Sequence, residues 1–145
     1  MNIWRESVLV TCLLSWFIAQ LIKVIHTIIK NKKLDFRRFI GSGGMPSSHS
    51  SFVTSLATAV GLENGFTGSD FAMATVFALV VMYDAAGVRR AAGQQAKILN
   101  KIVEEWENAD FAHTDKRLKE LLGHSPKEVF VGALLGILIA ILRHL

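Results

Sequence analysis

The sequence holds one cysteine, two prolines and one tyrosine in 145 residues. The lone cysteine, Cys12, excludes a secreted disulfide scaffold, and its place in an apolar stretch points to a buried apolar role. No histidine spacing suits a metal ligand set and no carboxylate cluster suits Mg²⁺, so neither a metal nor a cofactor is expected. P-loop and dinucleotide glycine patterns are missing too, and nothing argues for nucleic-acid binding. Charge is scarce: 19% of residues are charged against 51% apolar, with a mean hydropathy of +0.37. So apolar a chain is not disordered. The charges cluster and leave apolar stretches nearly bare. The net charge of +4 therefore fits the basic loops of a membrane protein better than a nucleic-acid partner.

The length suits a single domain, residues 1–145. Its expected class is all-α, a bundle of about four membrane helices with an amphipathic interfacial helix. The first apolar stretch, Ser7 to Ile29, carries only Lys23 and His26 as ionisable groups and exceeds the ~20 residues that cross a bilayer core. No basic leader or Ala-x-Ala site accompanies it, so it reads as an uncleaved span. The second, Ser47 to Leu62, is short and rich in Ser, Thr and Ala, as for a helix leaning on neighbours. Glu63 to Ser69 reads as a turn. The third span covers Asp70 to Val88, and the fourth Val129 to Leu142. In the fourth, Gly132 and Gly136 have the spacing of close helix approach and offer a face for a second copy of the chain.

The intervening section, Arg89 to Lys127, is polar. Ile98, Leu99, Ile102, Val103 and Trp106 recur there at helical spacing, giving an amphipathic helix that lies at the interface or packs on the bundle. Asn108 to Asp115 reads as a loop and Lys116 to Leu122 as a short helix.

Unusual residues gather at span ends that share one membrane face. Gly43-Gly-Met-Pro-Ser-Ser-His49 combines a tight loop, Pro46 in a first helical turn, and the hydroxyls of Ser47 and Ser48 at a helix start, where free N–H groups favour anions. An ordinary Pro/Ser helix start accounts for it equally well. In Gly123-His-Ser-Pro-Lys-Glu128 a capping box explains Ser125, Pro126 and Glu128 but leaves His124 without a role. Four residues apart, His124 and Glu128 can meet, and a carboxylate on one ring nitrogen makes the other more nucleophilic. In Tyr83-Asp84-Ala-Ala-Gly-Val-Arg-Arg90 one arginine is ordinary positive flanking, whereas Asp84 needs a partner, Arg89 or Lys23. Lys23 follows the same logic or snorkels to the interface. His26, His113 and His144 have no motif around them.

At these residues the chain resembles the type 2 phosphatidic acid phosphatase (PAP2) superfamily, which includes vanadium haloperoxidases, and more closely the divergent PAP2 family of small membrane proteins. The resemblance spans nearly the whole chain. Pro46-Ser-Ser-His49 is similar to the superfamily's Pro-Ser-Gly-His, with Ser48 for Gly. His124-x3-Glu128 is similar to its His-x3-Asp, with Glu for Asp, and Arg89 or Arg90 stands for the arginine upstream. Lys30-x6-Arg37 has the spacing of the first motif, with Arg38 where the superfamily has Pro, and Lys23 is a rival for the phosphate-binding lysine.

The resemblance implies a lipid phosphatase that needs no cofactor. His124 would attack phosphorus and form a phosphohistidine, Glu128 would orient it, and His49 would protonate the leaving oxygen. Lys23, Ser47, Ser48, Arg89 and Arg90 would hold phosphate, with Asp84 in support. A non-catalytic membrane protein that binds lipid phosphate or scaffolds partners is the second reading, and a vanadate-dependent oxidase a distant third.

The expected location is the plasma membrane of a bacterium. Thirteen Lys and Arg fall on the face carrying Lys30 to Arg38 and Arg89 to Lys127, while the other face keeps Arg5 and Arg143. The positive-inside rule then turns the candidate site to the cytoplasm.

Overall fold

A computed structural model describes residues 7–31, 44–107, 118 and 123–145. Among them every regular element is helical, in the order α1 (Val8–Asn31), α2 (Ser48–Asn64), α3 (Ser69–Tyr83), a π-helical turn (Asp84–Val88), α4 (Arg89–Glu107) and α5 (Pro126–His144). The third span and the amphipathic helix, expected as separate pieces, are continuous. Two helices are long and apolar enough to cross a membrane, Val8–Ile29 and the stretch Ser69–Glu105. The expected loop at Asn108 to Asp115 lies outside the described residues, as do Lys116, Arg117 and residues 119–122 of the expected short helix.

α1 is built inside out relative to a soluble helix. Leu9, Leu13, Phe17 and Leu21 are exposed, whereas Thr11, Cys12, Ser15, Ala19, Lys23 and Thr27 are buried along one stripe. Hydrocarbon solvates the leucines, so small and polar residues take the inner face, where close packing and hydrogen bonds hold helices together. Ser15 Oγ lies 2.6 Å from Ser51 Oγ and donates to the Ser51 carbonyl at 3.0 Å. Cys12 is a free, buried thiol.

α2 is the central post, with α1, α3 and α5 packed around it. Its buried face is Ser48, Ser50, Ser51, Ser55 and Ala59 with Val53 and Thr54. Gly132 and Gly136 of α5 lie directly on the backbone of Ser47 and Ser51, and Thr54 Oγ1 donates to the Ala133 carbonyl at 3.0 Å. The glycine face expected to meet a second copy packs on α2 of the same chain. Both glycines are buried against α2.

Beyond the π turn, α4 packs among the described elements chiefly on that turn, and its Gly93 and Ala96 are buried. Its stripe, Ile98, Leu99, Ile102 and Val103, is exposed rather than laid on the bundle. The Asn100 side chain exchanges two hydrogen bonds with the backbone of Leu118, at 2.8 and 2.9 Å.

Candidate functional site

The start of α5 is organised by one carboxylate. Ser125 caps the helix, accepting from the Glu128 N–H at 3.4 Å, while Glu128 Oε2 accepts from the Ser125 N–H at 3.1 Å. That same oxygen lies 3.1 Å from His124 Nδ1. The expected capping box and the expected His–Glu pair therefore coexist on a single oxygen. With Nδ1 holding its proton toward Glu128, Nε2 carries the lone pair. The His124 N–H donates to the Ala85 carbonyl at 2.9 Å, tying the residue to the π turn. Gly123 makes this approach feasible: its φ is +87°, and a Cβ there would press on the backbone of Arg89 and Arg90.

The His124 ring is 4% exposed. Burial pulls its pKa below the usual imidazole value, the bond and charge of Glu128 push it back up, and Lys23 and Arg89 pull it down further. The balance keeps the ring neutral at neutral pH, the form a nucleophile needs.

At the start of α2 the structure corrects one expectation. Pro46 precedes the helix, and Ser47 is the cap, accepting from the Ser50 N–H and from Ser50 Oγ at 2.9 Å. The Ser47 N–H is also taken, donating to the Glu128 carbonyl at 3.0 Å. Ser47 is a clamp between α2 and α5, so its N–H is not left for an anion, whereas its hydroxyl accepts both bonds and keeps its own proton to donate. Ser48 is buried, and His49 is exposed at the second position of the helix. The orphan N–H groups of a first helical turn remain at these two residues.

The π turn sets the acid–base pair. Arg89 Nε lies 2.6 Å from Asp84 Oδ2, and the Arg89 N–H donates to the Asp84 carbonyl. Residues five apart sit about 140° around an α-helix from one another, whereas the i→i+5 bonding of a π turn stacks them. Of the two expected partners for Asp84, it is Arg89 that pairs.

Lys23 is 3% exposed, lies along Gly44, and is buried rather than snorkelling. Its ammonium interacts electrostatically with Glu128, His49 and His124. His49 in turn senses Arg89, His124, Lys23 and Asp84. Lys23, His49, Asp84, Arg89, His124 and Glu128, drawn from four separate stretches of chain, form one electrostatic cluster. Arg90 is exposed and contributes backbone beneath Gly123. Of the rival pair, Lys30 belongs to the last turn of α1 and Arg37 lies outside the described residues. No group of three metal-ligating side chains occurs among the described residues.

The sequence reading missed three contributors: the Ala85 carbonyl, Gly44 and the Gly123 backbone. Only the glycines left a signal: Gly123 directly precedes His124, and Gly44 lies in the tight loop of the Gly43–His49 motif.

The pattern of the Divergent PAP2 family matches residues 4–139. The chain belongs to the Divergent PAP2 family. This divergent PAP2 protein is also 46% identical to the membrane protein YuiD of Bacillus subtilis (strain 168), over 97% of its own length and 96% of that relative. No solved structure matches it. Together with the two helices long and apolar enough to span, the likeness makes the divergent PAP2 protein a membrane protein.

Proposed function

We propose that the protein is a membrane-embedded phosphatase that hydrolyses a lipid phosphate or diphosphate through a phosphohistidine. The observation that carries this reading is the buried His124, held through Nδ1 by Glu128 within one cluster containing Lys23, Arg89 and His49. Nε2 attacks phosphorus. As the P–N bond forms, the P–O bond to the lipid breaks, and the leaving oxygen takes a proton from His49. His49 then removes a proton from water, whose oxygen attacks phosphorus, the P–N bond breaks, and phosphate leaves with His124 restored. Splitting the displacement in two is nucleophilic catalysis, and positioned acid–base help is typically worth about 10²–10⁴-fold. Lys23, Arg89 and the N–H groups of Ser48 and His49 meet the charge on the equatorial oxygens. The test is phosphate release from a panel of lipid phosphates by wild type and His124→Ala. Turnover by wild type alone supports the reading, and equal release on every lipid refutes it.

A non-catalytic phosphate-binding role is the second reading. It is favoured by the close Arg89–Asp84 pair, which partly neutralises the guanidinium a phosphate would need.

The basic face, and with it the cluster, is proposed to lie on the cytoplasmic side of a bacterial plasma membrane, on the strength of the Lys and Arg imbalance.

A further inference from the structure

Because α3 and α5 both pack on α2 rather than on each other, a groove opens between them. Its volume is about 390 Å³. Thr54 and Thr58 of α2 form its floor, and Thr75 and Met82 of α3 and Ile137 and Ile141 of α5 its walls. Small residues on the floor give it depth. Its lining is almost wholly apolar, and it opens sideways, toward what is hydrocarbon in a membrane protein.

Two features commit the groove to one occupant. The first is where it begins. Met82 stands two residues before Asp84, and Thr54 five residues after His49, so its upper end lies just beneath the charged cluster. The second is where it stops. Phe66 and Phe71 stack edge to face across the far end, with centroids 5.1 Å apart. From Met82 to Phe71 the wall runs eleven residues of helix, about 16 Å. Half of a ~30 Å hydrocarbon core is about 15 Å, one leaflet. A charged cluster that holds Lys23, Arg89 and the helix start at Ser48 and His49 above a groove one leaflet deep matches an amphiphile with an anionic head and a long chain.

We infer that this groove is a binding subsite for one hydrocarbon chain of a phosphate lipid whose headgroup sits at the Lys23–His49–Arg89–His124 cluster, with Phe66 and Phe71 closing its end. The inference rests on the lipid-phosphate reading of that cluster. The subsite makes the chain part of recognition, so soluble short-chain phosphates are poor ligands.

The test is photo-crosslinking of the purified full chain in nanodiscs, with phosphatidate bearing a diazirine midway along one chain. Labels are expected on the groove faces of α3 and α5, displaced by excess unlabelled phosphatidate. Ala57 of α2 also lines the groove, and Thr75→Phe and Ala57→Phe, made separately, each fill it. Each ring takes up the volume the chain would occupy, and groove labelling should fall to the level seen with excess unlabelled phosphatidate. Far-ultraviolet circular dichroism shows that each variant is folded, and either one suffices. Labels spread over outward residues such as Val76 and Phe77, with no displacement, overturn the inference. So does wild-type labelling in a folded filled variant, or filling that dissociates a dimer, which would make the occupant a second copy. Two controls separate this failure from that of the phosphatase reading. If diacylglycerol with the same chain labels the groove equally and vanadate does not compete, the phosphate reading falls and the chain subsite stands. If vanadate protects the protein but the groove is never labelled, the chain subsite falls alone.

Discussion

Replacing Gly132 by alanine puts a methyl group into the seam between α2 and α5. A Cβ built at Gly132 lies 3.1 Å from both N and C of Ser47 and closer still to its carbonyl oxygen. Ordinary carbon contacts begin near 3.5 Å, so the helices must part by on the order of 1 Å. The Ser47 N–H to Glu128 carbonyl bond, now 3.0 Å, then stretches beyond useful length. Overpacking of this kind costs about 1–3 kcal/mol. A lost hydrogen bond in a membrane protein adds about 0.6 kcal/mol and at most about 1.7. Together they amount to roughly 2–4 kcal/mol, or a fall of roughly 5–15 °C in the unfolding midpoint. The assay is thermal unfolding in detergent, followed by circular dichroism. Gly68→Ala is the control, since its nearest neighbours stand 3.9 Å away and the change should stay within about 0.5 kcal/mol. Equal midpoints for the two variants would refute the close-packed seam. Because Ser47 and Glu128 share that seam, Gly132→Ala should also lower phosphate release in protein that remains folded.

In the same assay Glu128→Gln should cost less activity than Glu128→Ala, because an amide can still orient His124 and cap α5; equal losses would make the charge the essential property. His124 is held neutral by burial, so the acid limb it imposes on turnover should lie below pH 6.5, the ordinary imidazole value. Glu128→Gln removes the charge that opposes this and should move the limb lower still; a limb at or above pH 6.5 contradicts the burial argument. The sign carries over to stability: with the folded pKa depressed, the contribution of His124 is complete above about pH 6.5 and declines as pH falls from there to the folded value, as pH-dependent unfolding would register. Vanadate should inhibit competitively and raise the unfolding temperature, and EDTA should do neither; inhibition by EDTA reversed with Mg²⁺ would demand a metal. For orientation, single cysteines at positions 64 and 115 in a Cys12→Ser background decide: an impermeant thiol reagent should label 64 and spare 115 in intact cells, and the reverse would put the cluster outside.

The helices were legible because each apolar run is bounded by its own punctuation. The Ser125–Glu128 box was legible for the same reason: cap, proline and carboxylate are neighbours in sequence, and the structure needs nothing remote to form them. At Pro46 the same logic misled. Ser47 wins the cap because Glu128, eighty-one residues away, takes its N–H and fixes where the helix begins. The polar stripe of α1 was open to view, since Thr11, Ser15, Ala19, Lys23 and Thr27 recur every four residues, yet only Lys23 drew notice. Its charge stood out against the leucines, while hydroxyls do not. The glycine face of α5 was read correctly as a place of close approach, but spacing alone does not say whose helix approaches. The π turn left no local signature, because its register depends on the bond from His124 to Ala85.

That turn amounts to a phase shift between two screws. One residue more than an α-helix needs is wound into Asp84–Val88, so everything after it is rotated by about 100° relative to an unbroken rod. The aim of the Arg89 guanidinium is therefore stored in a count of residues and not in any particular side chain. Trimming one residue from the turn would carry Arg89 off the carboxylate of Asp84 and turn the whole of α4 with it, even with every chemical group retained. The dependence runs the other way as well. α4 is a lever of nineteen residues, with Asn100 gripping the backbone at Leu118 along its length. Whatever holds or twists that lever bears on the angular position of the arginine at its foot.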